Sequence, residues 1–171
     1  HLLEIWNGEV YQELRRNMAE GNLEAAGCSK CFALQQGIPM GMMYDPDADL
    51  ESPPQSAYAK HLQFLRNEIA DGKAALESNP TVISLTSSHQ CNLRCIHCYQ
   101  TITRDRTLVR EDCIDEIFGL LPTLVRITAG GGEPFLLPLW KHFLRDVDLS
   151  VNPYLEFAVS TNATVVTEKL I

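Results

Sequence analysis

The stretch "TVISLTSSHQCNLRCIHCYQ", residues 81–100, joins an apolar run of strand-forming residues to a loop that carries three cysteines. Cys91, Cys95 and Cys98 are three of the six cysteines in the chain, with three and then two residues between them. Thiols this close in sequence are typical of zinc sites, redox pairs and iron–sulfur clusters. The rest of the sequence has to distinguish these three kinds of site.

The composition is that of an ordinary globular protein. Of the 171 residues, 45% are apolar and 21% are charged, and the net charge is −8. Residues 1–52 contain three basic and nine acidic side chains, so most of the acidic excess lies there. Because the chain has no basic stripe, we expect no nucleic-acid partner. No window approaches the roughly 18 apolar residues that a membrane helix needs, so we also expect no membrane partner.

The cysteine spacing indicates a cellular compartment. Five of the six cysteines fall in C-x-x-C or C-x-x-x-C spacing, which favours metal ligation in a reducing cytoplasm over a disulfide framework. The sequence begins with neither Met nor a signal-peptide pattern, and it breaks off where a helix begins to form. We therefore expect it to be part of a longer, cytoplasmic chain.

The chain is predicted to contain four segments in order. Residues 1–44 form a small, mainly helical, cysteine-containing segment, in which Asn7 is the predicted N-cap of a helix. Residues 45–55 are polar and contain prolines, which is typical of a linker. Residues 56–79 form a connecting helix with a periodic apolar face. Residues 80–171 form a separate α/β unit.

Strands and helices alternate in this last unit. The predicted strands and helices are, in chain order, strand 81–86, helix 109–121, strand 124–129, helix 137–147 and strand 154–160. Such alternation is typical of a parallel sheet with helical crossovers. Three strands are too few to close a barrel. The predicted fold class is therefore α/β, as the first part of a barrel with parallel strands.

Each predicted strand is followed by an unusual loop. The cysteine stretch follows the first strand, "GGGEP" (130–134) follows the second and "STNAT" (160–164) follows the third. In parallel α/β folds such loops meet at one edge of the sheet and carry the site. Consecutive glycines permit close approach of a ligand to free backbone amides, and Glu133 offers an acceptor for an ammonium group. We expect the three loops to converge on one rim.

The spacing of the cysteines leaves several kinds of site open. A zinc site needs a fourth ligand, which His89, His97 or another residue would supply. A cubane iron–sulfur cluster held by three cysteines leaves one iron able to bind a ligand. A thiol–disulfide pair of Cys95 and Cys98 leaves Cys91 and the glycines without a role. The "GGGEP" loop favours the cluster, because a zinc-stabilised binding module has no use for it.

"CNLRCIHCY" (91–99) followed by "GGEP" (131–134) resembles the radical S-adenosylmethionine (radical SAM) superfamily, over about residues 80–171. The resemblance implies a partial (β/α)6-type barrel. It also implies a [4Fe-4S] cluster whose fourth iron binds the amino and carboxylate groups of S-adenosylmethionine (SAM). The cluster ligands that it implies are Cys91, Cys95 and Cys98.

The same resemblance assigns residues to SAM. The glycine motif would bind the methionyl ammonium, and the residues beside the third cysteine would lie near the adenine. The end of the third strand would contact the ribose or the carboxylate, although Ala163 stands where the family usually has glycine. The implied SAM-binding residues are His97, Tyr99, Gly131, Gly132, Glu133, Ser160 and Asn162.

The implied activity is that of an enzyme. A reduced [4Fe-4S] cluster would cleave SAM reductively, and the resulting 5′-deoxyadenosyl radical would abstract a hydrogen atom from a peptide, a protein or another large substrate. An electron donor such as flavodoxin or ferredoxin would reduce the cluster. We expect the present residues alone to be inactive, because the rest of a barrel would complete the pocket.

The N-terminal segment has a resemblance of its own. "LLEIWNGEVYQELRRNMAEGNLEAAGCSKC" (2–31) is similar to the closing part of a SPASM domain, the auxiliary cluster module of many radical SAM enzymes. This similarity implies that Cys28 and Cys31 are two ligands of an auxiliary cluster. A SPASM domain normally follows the barrel, and here the similar segment precedes it. A zinc half-site and unligated thiols remain the alternatives for this pair.

Overall fold

The chain divides into two compact units. One consists of Leu2–Asn79, and the other of His1 with Pro80–Ile171. In neither unit does a helix of the described residues have the length and apolar character needed to cross a membrane. The predicted linker at 45–55 lies outside the described residues. The computed structural model describes residues 1–31, 56–98 and 107–167.

The described residues of the N-terminal unit form three helices, α1 (Leu2–Trp6), α2 (Glu9–Ala19) and α3 (Ala57–Ala70). The structure confirms the predicted helix after Asn7, but its N-cap is Gly8. The Asn7 side chain instead accepts a hydrogen bond from the Leu76 amide (2.9 Å) and donates one to the Leu76 carbonyl (2.7 Å). The prediction of Asn7 as the cap was wrong, because a distant backbone segment uses its side chain.

Helix α3 is shorter than the predicted helical range of 56–79. It begins after Ser56, whose hydroxyl caps the first turn, and it ends at Ala70. Gly72 follows with φ +69°, a left-handed conformation that glycine adopts without steric cost. Its amide bonds to the Ile69 carbonyl at 3.0 Å, as expected of a glycine-terminated helix.

A buried carboxylate organises the chain after α3. The Glu68 side chain is only 1% exposed, and it accepts hydrogen bonds from the amides of Glu77 (2.9 Å) and Ser78 (3.0 Å). Lys73 contacts the same carboxylate at 3.3 Å. Burial alone raises the pKa of Glu68, but the bonds from Glu77, Ser78 and Lys73 outweigh it and lower the pKa to about 2.

Helices α1 and α2 are held to the same segment by polar contacts. The Trp6 indole donates to the Ser78 carbonyl at 2.7 Å. The Arg15 guanidinium lies 4.3 Å from the centre of the Trp6 ring and donates to the Ala74 carbonyl at 2.9 Å. Burial lowers the pKa of Arg15. These contacts join residues 2–19 and 57–79 in one unit.

The second unit is built around a three-stranded sheet, and the structure confirms its predicted α/β class. The strand order is β1-β2-β3, and both neighbouring pairs are parallel. Each observed element overlaps its predicted range, although the helix predicted at 109–121 begins four residues later, at Cys113. The elements are, in chain order, β1 (Val82–Thr86), α4 (Cys113–Leu120), β2 (Arg126–Gly130), α5 (Pro138–Asp146) and β3 (Glu156–Val159).

An aromatic cluster forms much of the core of this unit. Trp140 and Phe143 on α5 are buried, and Phe157 on β3 packs against both, with ring centres 5.6 Å and 5.1 Å away. The Trp140 indole donates to the buried Ser87 hydroxyl at 2.8 Å. The first residue after β1 is therefore tied to the core.

Asn152 fixes the opposite edge of the sheet. Its buried side chain donates to the carbonyls of Leu121 (2.9 Å) and Leu124 (2.6 Å), which precede β2. Asn152 itself precedes β3. Because the strands are parallel, these hydrogen bonds lie at the edge of the sheet where β2 and β3 begin, away from the loops that follow their C-terminal ends.

Replacement of Glu68 tests its role in the N-terminal unit. Because the pKa of Glu68 is lowered from 4.5 to about 2 on folding, its carboxylate stabilises the folded unit above pH 4.5. That contribution is lost as the pH falls towards 2. We expect Glu68→Gln to lower the free energy of unfolding near neutral pH, and the difference from wild type to shrink between pH 4.5 and 2. Denaturant unfolding, followed by circular dichroism, measures the free energy of unfolding of each protein across this pH range.

Glu77→Gln is the control, because it removes a 78%-exposed carboxylate that contacts the same Lys73. It should have a much smaller effect. A difference between Glu68→Gln and wild type that stays constant down to pH 2 would contradict the assignment.

Candidate active site

Three loops meet at the C-terminal edge of the sheet, as predicted. They are the cysteine loop (residues 87–98) after β1, the glycine loop (131–134) after β2 and the asparagine loop (160–164) after β3. The parallel register pairs Thr86 with Gly130 and Ala129 with Val159, so the strands end side by side. We call these three loops together the rim.

The glycine loop lies directly against the cysteine loop. The Gly132 amide donates to the Ser88 carbonyl, and the Glu133 amide donates to the Gln90 carbonyl, each at 2.8 Å. These two bonds continue the pairing of β1 with β2 beyond the ends of the strands. The expectation that the amides of this loop are free for a ligand is therefore wrong for Gly132 and Glu133.

This close approach explains why the loop needs glycine. Gly131 has φ +120°, and an added Cβ would lie 2.1 Å from the Ser88 carbonyl oxygen. At Gly132 an added Cβ would lie 1.9 Å from the carbonyl oxygen of Gln90. Both distances are far shorter than any real carbon–oxygen contact. The two glycines allow the backbones of the two loops to touch.

Glu133 connects the glycine loop to the asparagine loop. Its side chain is 0% exposed. One carboxylate oxygen accepts from the Thr161 hydroxyl (2.7 Å) and from the Phe135 amide (3.2 Å), and the other accepts from the Asn162 amide (2.8 Å). Three donors offset the cost of burying this carboxylate. The alternative of a Glu exposed on a surface turn is excluded by its burial.

Asn162 in turn reaches the cysteine loop. Its side-chain nitrogen lies 3.6 Å from the Cys91 sulfur and 3.0 Å from the Asn92 side-chain oxygen. Thr164 binds both asparagines, because its hydroxyl donates to Asn162 (2.7 Å) and accepts from Asn92 (2.7 Å). Each of the three loops of the rim is thus joined to the other two by hydrogen bonds.

Ala163 adopts a conformation that favours glycine. Its φ is +60°, which costs a residue with a Cβ roughly 1–2 kcal/mol. Its amide donates to the Thr161 hydroxyl at 2.9 Å, within the same network. The backbone therefore follows the path that a glycine would take, although the sequence has alanine there.

The three cysteines of the rim form no disulfide. Cys91 and Cys95 are exposed and Cys98 is half-buried. The Leu93 amide donates to the Cys91 sulfur at 3.4 Å, so this sulfur has two N–H groups near it. Donors of this kind stabilise a thiolate, which is the form that ligates metal.

The donor set fits a cluster better than a single ion. A mononuclear zinc site requires its ligands to converge on one point. Among the described residues, no group of three or more His, Cys, Asp or Glu side chains is arranged to hold one metal ion. In a cubane cluster each thiolate binds a different iron, so the three sulfurs surround one cluster instead of one ion. The cysteine loop carries three cysteines, the ligand type that such a cluster takes, and two N–H donors lie near the Cys91 sulfur.

The remaining predicted site residues lie in different places. His97 is exposed in the cysteine loop, between Cys95 and Cys98. Ser160 is exposed, and its amide continues the pairing with β2 by donating to the Ala129 carbonyl at 3.2 Å. Tyr99 lies outside the described residues.

Cys28 and Cys31 belong to the N-terminal unit. They are half-buried free thiols in a turn in which the Cys31 amide donates to the Cys28 carbonyl at 2.9 Å. The sixth cysteine, Cys113, is half-buried on α4. Burial, together with Glu116 and Asp112, raises the pKa of Cys113. A thiol that holds its proton in this way is a poor metal ligand.

Sequence reasoning missed three residues of the rim. Asn92, Thr161 and Thr164 hold the cysteine and asparagine loops in place, yet the sequence analysis assigned them no role. Their common signal is position, because each lies in a loop that follows a predicted strand. Their pairing is not visible in sequence, since Asn92 and Thr164 are 72 residues apart.

The contact between the glycine and cysteine loops can be tested by Gly132→Ala. The added methyl forces the loops apart and removes two backbone hydrogen bonds. We expect a loss of at least about 1–3 kcal/mol in the free energy of unfolding, measured by denaturant titration.

Gly119→Ala is the matched control, because nothing lies within 4 Å of an added Cβ near the end of α4. It should be neutral or stabilising by up to about 1 kcal/mol. Equal effects of the two substitutions would contradict the proposed packing.

Comparison with known proteins gives an independent result. The family model described as "Radical SAM superfamily" matches residues 85–171, which is just over half of the chain. The match includes all three loops of the rim. No curated protein matches the chain. The SPASM-like interpretation of residues 2–31 lies outside the matched range and stays a prediction. On the strength of the family match, this chain belongs to the radical SAM superfamily, a family that implies a [4Fe-4S] cluster and SAM as cofactors.

Proposed function

We propose that this chain is a radical SAM enzyme that holds one [4Fe-4S] cluster on Cys91, Cys95 and Cys98 and binds SAM beside the glycine loop. The observation that supports the proposal most is the network that joins the three loops of the rim. It connects the loop that carries the three cysteines to Gly132, Glu133 and Asn162.

When bound and reduced, the cluster and SAM together supply a 5′-deoxyadenosyl radical that abstracts a hydrogen atom from the substrate. The role of the chain is to hold these groups in position. Cys91, Cys95 and Cys98 would hold the cluster through three of its irons, and the fourth would be left for the amino and carboxylate groups of SAM.

The glycine loop is proposed to face the methionyl end of SAM. An ammonium group only donates hydrogen bonds, so its partners in this loop would be carbonyl oxygens, whereas the amides of Gly132 and Glu133 bond to the cysteine loop. Glu133 then contributes through the loop that it holds, since its carboxylate is buried and has three donors. We assign His97 and Tyr99 to the adenine side, and Ser160 to the ribose or the carboxylate.

The architecture proposed for the whole enzyme extends the observed sheet. The three parallel strands would be the first part of a (β/α)6-type barrel, to which further strands are added. In the N-terminal unit, Cys28 and Cys31 would be two ligands of an auxiliary cluster in a SPASM-like segment. Their common turn and their free thiols are compatible with that role.

The substrate and the partners are proposed from the resemblance. A SPASM-like module in the same chain as the barrel suggests a peptide, a protein or another large substrate. A flavodoxin or ferredoxin would deliver the electron, in the cytoplasm. We do not propose the zinc-stabilised binding module, because nothing in the described residues favours it.

The central experiment combines cluster analysis with product formation. The full-length protein, purified without oxygen and reduced, should contain iron and sulfide and should form 5′-deoxyadenosine from SAM. Alanine at Cys91, Cys95 or Cys98 should abolish both the SAM-responsive cluster signal and the product, because each substitution removes one of three ligands.

Cys113→Ala is the matched control, since this half-buried cysteine lies on α4 and outside the three loops of the rim. It should retain both the cluster and the activity. A SAM-responsive [4Fe-4S] cluster that persists when all three rim cysteines are alanine would refute the ligand assignment.

Replacement of Glu133 tests how this residue supports SAM binding. Glu133→Ala removes the acceptor of the Thr161 hydroxyl and of the Phe135 and Asn162 amides, and leaving the buried Phe135 amide unpaired costs about 1–3 kcal/mol. We therefore expect lower stability together with weaker SAM binding, and a smaller loss of both for Glu133→Gln. Equilibrium dialysis with SAM and denaturant unfolding measure the two effects.

A direct bond from Glu133 to the SAM ammonium gives a different pattern. Loss of a charge-assisted hydrogen bond costs about 1.5–3 kcal/mol, or roughly 10–150-fold in affinity. If Glu133→Gln weakens SAM binding to that extent without changing the unfolding curve, the carboxylate contacts SAM itself.

A further inference from the structure

The side chain of Asn162 connects the end of β3 to the first cysteine of the motif. Its Nδ2 lies 3.6 Å from the Cys91 Sγ, within range of a hydrogen bond to sulfur. The same nitrogen lies 3.0 Å from the Asn92 Oδ1. An amide nitrogen carries two hydrogens, so one side chain can donate to both atoms.

The partners of Asn162 fix the direction of its amide. The Asn162 Oδ1 accepts from the backbone N–H of Thr164 at 3.0 Å and from the Thr164 hydroxyl at 2.7 Å. A backbone N–H can only donate, so the oxygen must face Thr164. The nitrogen of the amide must then face Cys91. The contact with the sulfur is therefore a donated N–H, and a rotated amide would lose the bond from the Thr164 backbone.

The side chain of Asn92 completes a closed network. Its nitrogen donates to the Thr164 hydroxyl at 2.7 Å, so its oxygen is left to accept from Asn162. The Cys91 sulfur also lies 3.9 Å from this oxygen, a contact in which only a protonated thiol can donate. Once Cys91 is a thiolate, its remaining bonds are those it accepts from Asn162 and from the Leu93 amide.

The backbone amide of Asn162 is hydrogen-bonded as well as its side chain. Its amide donates to the buried Glu133 carboxylate at 2.8 Å, and the preceding Thr161 hydroxyl donates to the same carboxylate. The N–H that faces Cys91 is therefore anchored through Glu133 to the glycine loop. A donor positioned in this way loses little entropy when it meets a charged acceptor.

We propose that Asn162 is a positioning residue for the cluster, which donates an N–H···S hydrogen bond to the Cys91 thiolate and raises the reduction potential of the cluster. This inference rests on the proposed function, because it requires Cys91 to be a cluster ligand. It differs from the SAM-contacting role that the resemblance implies for Asn162, since both ends of the amide already have partners in the chain.

The direction of the effect follows from charge. A cysteine-ligated cluster becomes more negative when it accepts an electron, and part of that charge lies on the sulfurs. An N–H dipole directed at a sulfur stabilises negative charge there, so it favours the reduced state. Its removal makes the cluster harder to reduce.

The test is a redox titration of the cluster in the full-length holoprotein, followed by electron paramagnetic resonance. Asn162→Leu removes the donor and keeps a similar volume. Asn162→Asp keeps the shape and the acceptor for Thr164 but replaces the donor by a carboxylate. We expect the midpoint potential to fall in the order wild type, Asn162→Leu, Asn162→Asp.

Two further variants make the result decisive. Thr164→Val removes the hydroxyl but leaves the Thr164 amide on Asn162, so it should lower the potential less than Asn162→Leu does. If the Asn162→Leu protein takes up no cluster, the midpoint potential of Thr164→Val decides whether the network around Asn162 affects the cluster. Asn152→Ala is the structural control, because this buried asparagine supports the opposite edge of the sheet. It should lower stability and leave the potential unchanged.

The outcomes separate the inference from the function on which it rests. One outcome is a cluster on the rim cysteines together with unchanged or higher midpoint potentials in the Asn162 variants and in Thr164→Val. That result overturns the role of Asn162 and leaves the proposed function standing. A cluster that survives the loss of Cys91, Cys95 and Cys98 overturns the proposed function, and with it this inference.

Discussion

The arrangement of the rim depends on one buried carboxylate, that of Glu133. A carboxylate with no exposure to water is tolerated only where donors surround it, and three donors from two loops do so here. Because Thr161 and Asn162 supply two of them, the loop after β3 cannot move independently of the loop after β2. The geometry around Cys91 is a consequence, since Asn162 reaches that sulfur from a backbone position that Glu133 fixes.

The glycines before Glu133 impose the second constraint. They allow the loops after β1 and β2 to pair through their backbones, at a separation that leaves no room for a Cβ at Gly131 or Gly132. The motif is therefore explained first by contact between loops, and only then by contact with a cofactor. A loop that is rigid before the ligand arrives loses less entropy on binding, which is the general advantage of a preorganised site.

Much of the fold could be predicted from the sequence, because apolar runs followed by motif-bearing loops mark parallel strands and their C-terminal ends. The three strands, their parallel pairing and the convergence of their loops were all predicted. The partners of particular side chains were not, since sequence does not show which distant groups need a donor or an acceptor. Asn7 bonds the backbone of Leu76 instead of capping α2, and the sequence does not show that Glu133 bonds Thr161 and Asn162.

The central claim is that the rim holds a cluster with one iron open to SAM. The most direct measurement is the electron paramagnetic resonance spectrum of the reduced full-length protein, recorded with and without SAM. A cluster with three cysteine ligands should change its signal when SAM binds, because SAM then coordinates the fourth iron. A cluster ligated by four cysteines has no such position. The account predicts a SAM-dependent signal that requires Cys91, Cys95 and Cys98, and a signal that does not respond to SAM would contradict it.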